Sequence, residues 1–257
     1  MKVVLLAGGL GTRMREETEF RPKPMVQIGG MPVLWHIMKG FASHGHKDFV
    51  VCAGYQGEMI KDYFFNYASK TLDFTVRLGD KNSAVFHGSH DEFDWTVTVA
   101  DTGQETPTGG RIKQIRKFVE GESFFCTYGD GLAPVDLDSL LETHQKSGKV
   151  ATMTVAKPDS RFGIVSVEEG VVVGFREKPQ IESLVNVGFF VFEPEIFEFL
   201  SDSVFLEQEP LTNLAKARGL GSFEHKGFWQ PMDTYREYQQ LNKLWASGDA
   251  PWRTWDN

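Results

Sequence analysis

Cysteine is scarce: Cys52 and Cys126 are the only two in 257 residues, and both lie in apolar stretches that read as strands. They are expected to be buried thiols in a reducing compartment, not part of a disulfide framework. Long apolar runs are missing too, and nothing approaches the ~18 consecutive apolar residues of a membrane span. The run from Val3 to Ala7 stops at Gly8-Gly9, short of a signal-peptide core of roughly 7–15 residues. The cytoplasm is the expected location, with no membrane partner. Excess positive charge is also absent. The 27 basic residues against 35 acidic ones leave a net charge of -8, which argues against nucleic acid or another extended polyanion as partner. A small phosphorylated ligand could still be held by a local cluster of cations. The seven histidines make no zinc pattern: His44 with His46, and His87 with His90, lack cysteine or carboxylate partners at ligand spacing. No G-x-S-x-G or other nucleophile motif occurs. No loop-rich stretch or repeat divides the chain, so one domain over residues 1–257 is expected.

What the chain does have is glycine placed directly after apolar strands. Residues 2–7 are apolar on both faces, as a central parallel strand is. A glycine-rich loop follows, then a helix over 32–44 with Leu34, Ile37, Met38 and Phe41 at helical spacing. A strand over 48–53 and a helix over 58–67 repeat the alternation. This order predicts an α/β fold, Rossmann-like and doubly wound around a mostly parallel central sheet. The middle is less regular. It reads as strands at 74–78 and 95–100, a helix from about 111 to 119, and a strand at 123–128. A helix over 137–146, capped by Asp136, and a strand at 150–156 complete the first part. From about residue 157 the pattern turns β-rich. A hairpin is expected at 163–167 and 171–176, then a strand at 185–192. Short helices at 194–200 and 208–218, a strand at 221–225 and a last helix within 232–246 follow. The tail with Trp252 and Trp255 reads equally as an interface or as a segment folded back on the core.

Gly8-Gly9-Leu10-Gly11-Thr12-Arg13 allows backbone N–H groups to approach a phosphate, because glycine has no Cβ in the way. A plain structural turn is the competing reading. The dinucleotide fingerprint would need glycine at position 14, which is Met14, and no Gly-Lys-Ser/Thr is present. Arg13 and Lys23 favour the phosphate reading, though each alone could be a solvated cation. Asp130 follows an apolar strand between Gly129 and Gly131, at the sheet edge where open α/β folds bind ligands. It suits a Mg²⁺ ligand or an ordinary Asp-Gly turn. Asp233 is a second lone acid before a helix and reads as an N-cap. Lys178, before Pro179, is free to reach a ligand or water. Asn186 could bind a sugar hydroxyl or cap a turn.

Taken in order, Leu6-Ala7-Gly8-Gly9-Leu10-Gly11-Thr12-Arg13, Lys23-Pro24-Met25, Tyr128-Gly129-Asp130-Gly131, Glu177-Lys178-Pro179 and Gly188-Phe189-Phe190 resemble the motifs of the sugar-1-phosphate nucleotidyltransferases. The resemblance covers essentially the whole chain. Longer segments, among them Thr108-Gly109-Gly110-Arg111 and Gly227-Phe228-Trp229-Gln230-Pro231-Met232-Asp233-Thr234, resemble the cytidylyl-transferring branch. The resemblance implies a nucleotidyltransferase that takes CTP and α-D-glucose 1-phosphate and releases CDP-glucose and pyrophosphate, with Mg²⁺ as cofactor. It implies surface-polysaccharide synthesis as the setting and a homo-oligomer as the assembly. Residues 1–156 would then be the nucleotide-binding part and 157–257 the sugar-binding and C-terminal part. By the same resemblance Leu6, Gly8, Gly9, Gly11 and Thr12 hold the nucleotide, with Thr108 and Arg111 near the cytidine. Arg13, Lys23 and Asp130 carry the transfer. Asp130 and Asp233 hold the metal. Lys178 grips the sugar phosphate, and Glu177 and Asn186 contact sugar hydroxyls. Val187 stands where the family has glycine, which leaves the sugar open. Another nucleoside triphosphate, a non-catalytic sugar-nucleotide sensor and a nicotinamide oxidoreductase are the other readings.

Overall fold

The computed structural model describes residues 1–160 and 162–255. The central sheet contains β1 (Lys2–Ala7), β2 (Asp48–Ala53), β3 (Thr96–Asp101), β4 (Phe124–Tyr128), β5 (Ala151–Ala156), β6 (Val185–Phe192) and β7 (Leu220–Glu224). Their order across the sheet is β7-β5-β6-β4-β1-β2-β3. Strand β6 runs antiparallel to both its neighbours, and the other four pairings are parallel. The expected mostly parallel sheet is therefore present.

Strand β1 shows why it sits at the centre. Val3, Leu5 and Ala7 join one apolar cluster, and Val4 and Leu6 join the other. Period-two alternation puts apolar groups on both faces, and each large side chain so buried contributes about 1.5–3 kcal/mol. Helices cover both faces. They are α1 (Val33–Ser43), α2 (Gly57–Phe65), α3 (Thr108–Gln114), α4 (Leu137–Ser147), α5 (Glu209–Lys216) and α6 (Tyr235–Ser247). Helix α1 packs Leu34, Ile37, Met38 and Phe41 into the first cluster, while α3 and α5 place Ile112, Leu211 and Leu214 in the second. Asp136 caps α4 by accepting the Ser139 N–H, as its position suggested.

Four features differ from expectation or resolve it. Helix α3 begins at Thr108, not near Arg111, so Gly109 and Gly110 lie inside its first turn. A Cβ on either would strike the backbone carbonyls of Val204 and Asp202, so these glycines serve a close crossing, not a helix start. The unassigned stretch after Leu78 is a strand, because Asp80–His87 pairs antiparallel with Asp73–Arg77. Residues 84–87 are exposed on both faces, which removed the alternation that marks a half-buried strand. Beyond residue 157, β6 and β7 enter the central sheet, and the hairpin Ile164–Glu168 with Val171–Arg176 stands outside it. The tail folds back: Trp252 is 2% exposed, stacks on Phe228 and donates its indole N–H to His36 Nδ1 at 3.4 Å. Cys52 and Cys126 are buried thiols, and burial pushes Cys52 up to about 12. Among the described residues no helix is long and apolar enough to cross a membrane.

Chain order reverses between β1 and β4. From β1 the chain winds outward through β2 and β3, and β4 lies on the other side. The carboxyl ends of β1 and β4 are therefore adjacent at a switch point, with Leu6 opposite Tyr128.

Candidate active site

Two loops leave that switch point, residues 8–13 from β1 and Gly129-Asp130 from β4. Together with Lys23, Asp233 and residues 104–108 they line one cavity of about 420 Å³. Lys23 is 8% exposed and sits in the short helical turn Lys23–Met25. Its ammonium donates to Asp130 Oδ2 at 2.6 Å and to Asp233 Oδ1 at 2.7 Å, carboxylates 107 and 210 residues away in sequence. Burial alone would lower the lysine pKa, but the two carboxylates raise it above its ordinary value. The exposed Arg13 adds a second cation, pairing with Asp233 Oδ2 at 2.9 Å.

A short two-strand pairing makes this convergence possible. Gln230–Pro231 lies antiparallel to Gly131–Leu132, and the Met232 N–H donates to the Asp130 carbonyl at 2.9 Å. That ladder carries Asp233 to Asp130. Asp233 is not the N-cap its position suggested. Thr234 caps α6 in a reciprocal box with Glu237, which leaves the Asp233 side chain to the ion cluster. Two carboxylates turned toward one cation are hard oxygen donors of the kind Mg²⁺ takes. Among the described residues no group of three or more His, Cys, Asp or Glu side chains forms a metal site.

The glycine loop is held by an unexpected partner. Arg111 is 4% exposed, and its guanidinium donates to the carbonyls of Gly8, Ala53, Gly103 and Gln104 and to Thr102 Oγ1. The resemblance implies a place for Arg111 near the cytidine. The structure spends it on protein acceptors, where it staples three loops together. Gly8 is glycine for the same reason, since a Cβ there would collide with that guanidinium.

The residues expected on the sugar side are less gathered. Asn186 Oδ1 accepts the Gly188 N–H at 2.9 Å, and Asn186 Nδ2 donates to the Tyr128 hydroxyl at 3.4 Å. Glu177 and Lys178 follow the outlying hairpin, pair with each other at 3.6 Å and do not appear in the cavity wall. Lys178 has φ +44, in the left-handed region. Val187 is 3% exposed in the core and faces no site. Gly188 is the position that needs glycine: it has φ +90, and a Cβ would collide with the Tyr128 ring. Sequence reasoning missed Tyr128 as a site wall, and Phe205 and Glu207 entirely. Phe205 lines the cavity, and Glu207 binds the Tyr128 and Thr108 hydroxyls. As a charged residue at a helix start, Glu207 carries no sequence signal of such a role.

Residues 2–218 match the family model for nucleotidyl transferases. Glucose-1-phosphate cytidylyltransferase from Salmonella typhi is 47% identical over 259 residues, covering all of both chains. The probable glucose-1-phosphate cytidylyltransferase of Bacillus subtilis (strain 168) is 41% identical over 257 residues, 99% of this chain and all of that one. A solved UDP-glucose pyrophosphorylase, complexed with UDP-glucose, matches with a TM-score of 0.70 at 19% identity. That match covers 96% of this chain and 98% of the other, and it speaks for the fold.

Proposed function

The chain belongs to the nucleotidyl transferase family, and from that premise we propose that it transfers the cytidylyl group of CTP to α-D-glucose 1-phosphate. The observation that carries nucleotidyl transfer is the buried Lys23 bridging Asp130 and Asp233 in the wall of a glycine-looped cavity. Full-length similarity to cytidylyltransferases supports the choice of CTP and glucose 1-phosphate.

The chemistry asks little covalent help of the protein. An oxygen of the sugar phosphate bonds to the α-phosphorus while the bond to the β-phosphate oxygen breaks, and that electron pair leaves with pyrophosphate. The attacking phosphate dianion has no proton to lose, so no general base is needed. Positioning and charge neutralisation carry the rate. In this reading the backbone of residues 8–11 and the Thr12 hydroxyl bind the triphosphate, and Leu6 and Thr108 lie on the cytidine side. Arg13 and Lys23 neutralise the α-phosphate and the departing pyrophosphate. Arg111 keeps the loops in place. Lys178 holds the sugar phosphate, with Glu177 and Asn186 at sugar hydroxyls. Asp130 and Asp233 would hold Mg²⁺, which when bound offsets charge on the phosphates. A homo-oligomer belongs to the same reading. The exposed Phe74, Val85 and Phe86 offer apolar surface to a second copy, and sedimentation velocity tests it.

Pyrophosphate release over a panel of nucleoside triphosphates and sugar 1-phosphates tests the assignment. CTP with glucose 1-phosphate should give the highest kcat/KM. A higher value for another pair would overturn it.

A further inference from the structure

Glu207 ties together parts of the site that are remote in sequence. Its carboxylate accepts the Tyr128 hydroxyl at the end of β4 and, at 2.7 Å, the Thr108 hydroxyl at the start of α3. Thr108 Oγ1 in turn accepts the Leu206 N–H at 2.9 Å. One residue pair earlier, the Val204 carbonyl accepts the Gly109 and Gly110 N–H groups at 3.1 and 3.3 Å. Residues 204–207 are thus pinned at both ends. Phe205 between them accepts the Gln208 N–H at its carbonyl at 3.2 Å, is 49% exposed and lines the cavity.

The chemistry of this part of the cavity selects its occupant. The cationic groups at the cavity wall are Arg13 and Lys23 in the ion cluster, and Arg111, whose guanidinium is committed to five protein acceptors. Phe205 also adjoins residues 105–107 in a second, shallower depression. That rim therefore offers an aromatic face, backbone and the carboxylates of Glu105 and Asp202 rather than free positive charge. It fits a planar base better than a phosphate, because every base has a flat face to lay against an aromatic ring.

We propose that the base of the bound nucleotide stacks on Phe205, and that Glu207 is the positioning residue that holds Phe205 there. This rests on the nucleotidyl-transfer reading above. Because Tyr128 also receives the Asn186 amide, Glu207 links the base side of the site to the sugar side.

Equilibrium titration with CTP, without sugar phosphate, tests the stacking directly. Phe205→Ala should weaken CTP binding about tenfold, as expected from base–aromatic stacking, and Phe205→Tyr should restore it. In steady state Phe205→Ala should raise the CTP KM by a larger factor than the sugar-phosphate KM. Glu207→Gln should raise both substrate KM values, and adding Phe205→Ala to it should cost less CTP affinity than Phe205→Ala costs alone. A purely structural role for Glu207 would lower the melting temperature and leave both KM values in place. If wild type binds CTP and Phe205→Ala binds it equally, the stacking proposal is wrong while nucleotidyl transfer stands. If wild type binds no CTP, both fail.

Discussion

On the glycine-loop side of the site Lys23 and Arg111 are buried and tied; on the hairpin side Glu177 and Lys178 stand in water. Arg111 and Lys23 are 4% and 8% exposed, and each is bonded to groups from distant parts of the chain. Glu177 and Lys178 have side chains 63% and 45% exposed, at the foot of a hairpin whose valines Val165, Val167, Val171, Val172 and Val173 are all exposed. A preset cluster of cations stabilises charge without reorganising. A loop that must be ordered by its ligand gives up part of the binding free energy to conformational entropy. In the proposed reading, phosphoryl chemistry therefore rests on the buried side, and binding of the sugar phosphate rests on the exposed one.

The largest effect should come from the rigid side. Asp130→Asn and Asp233→Asn are each expected to lower kcat at least ~1,000-fold, of the order seen when charge-stabilising groups are removed from active sites. Stability should change little, because Lys23 keeps its other carboxylate. Turnover of Asp130→Asn near the wild-type rate would break the comparison at its strongest point. Next is Arg111→Met. It leaves the carbonyls of Gly103 and Gln104 without their donor and that of Gly8 with the Tyr55 N–H alone, and the loss should be about 3 kcal/mol in urea unfolding. The CTP KM should rise with it. An unchanged unfolding midpoint would mean that the glycine-loop side is not held by its staple.

This asymmetry also decided what could be read in the sequence. Helix α1 announces itself through its apolar period and β1 and β6 through continuous apolar runs, and 185–192 was legible to the residue because that run is buried on both faces. The place of Asp130 in the cavity wall was legible because it follows an apolar strand at the sheet edge where open α/β folds bind ligands, although the same glycines suit a plain turn. Arg111 was placed near the nucleotide, but its five acceptors come from residues whose backbone carbonyls have no sequence signature. Glu207 was invisible for a related reason. Its partners, Thr108 and Tyr128, meet it only after α3 and β4 have packed. Val187 misled in the opposite direction. A departure from a family glycine suggested the sugar pocket, yet its side chain points into the core.

The rigid side extends behind the cavity, where α1 packs on the Lys23–Met25 turn and the tail covers His36. His36 is 1% exposed, its Nε2 lies 2.8 Å from the Ile28 carbonyl, and burial pulls its pKa from 6.5 down to about 4. The folded imidazole stays neutral in a range where the unfolded one takes a proton. The associated stability is therefore complete above pH 6.5 and is lost as pH falls toward about 4. The full loss should be about 3 kcal/mol. Urea unfolding of wild type between pH 7 and pH 4 should show this slope, and His36→Asn should flatten it. An equal slope in His36→Asn would place the acid sensitivity elsewhere.

The smallest effect should come from Lys178. A non-glycine residue in the left-handed region costs roughly 1–2 kcal/mol, and Lys178 has φ +44. Glycine relieves that cost but frees the unfolded chain, which returns roughly 0.5–1 kcal/mol to the unfolded state. Lys178→Gly should therefore be more stable than wild type by about 0.5–1 kcal/mol, the difference of those two terms. Lys178→Ala, which keeps the strained backbone, should gain nothing. Both should raise the sugar-phosphate KM about tenfold, the worth of an ammonium on a phosphate, and leave the CTP KM alone. The pair separates two reasons for a lysine there. If glycine and alanine are equally stable, the backbone at 178 carries no strain and the lysine is kept for its charge alone. If glycine gains stability while losing the sugar phosphate, the hairpin side gives up stability to aim one cation.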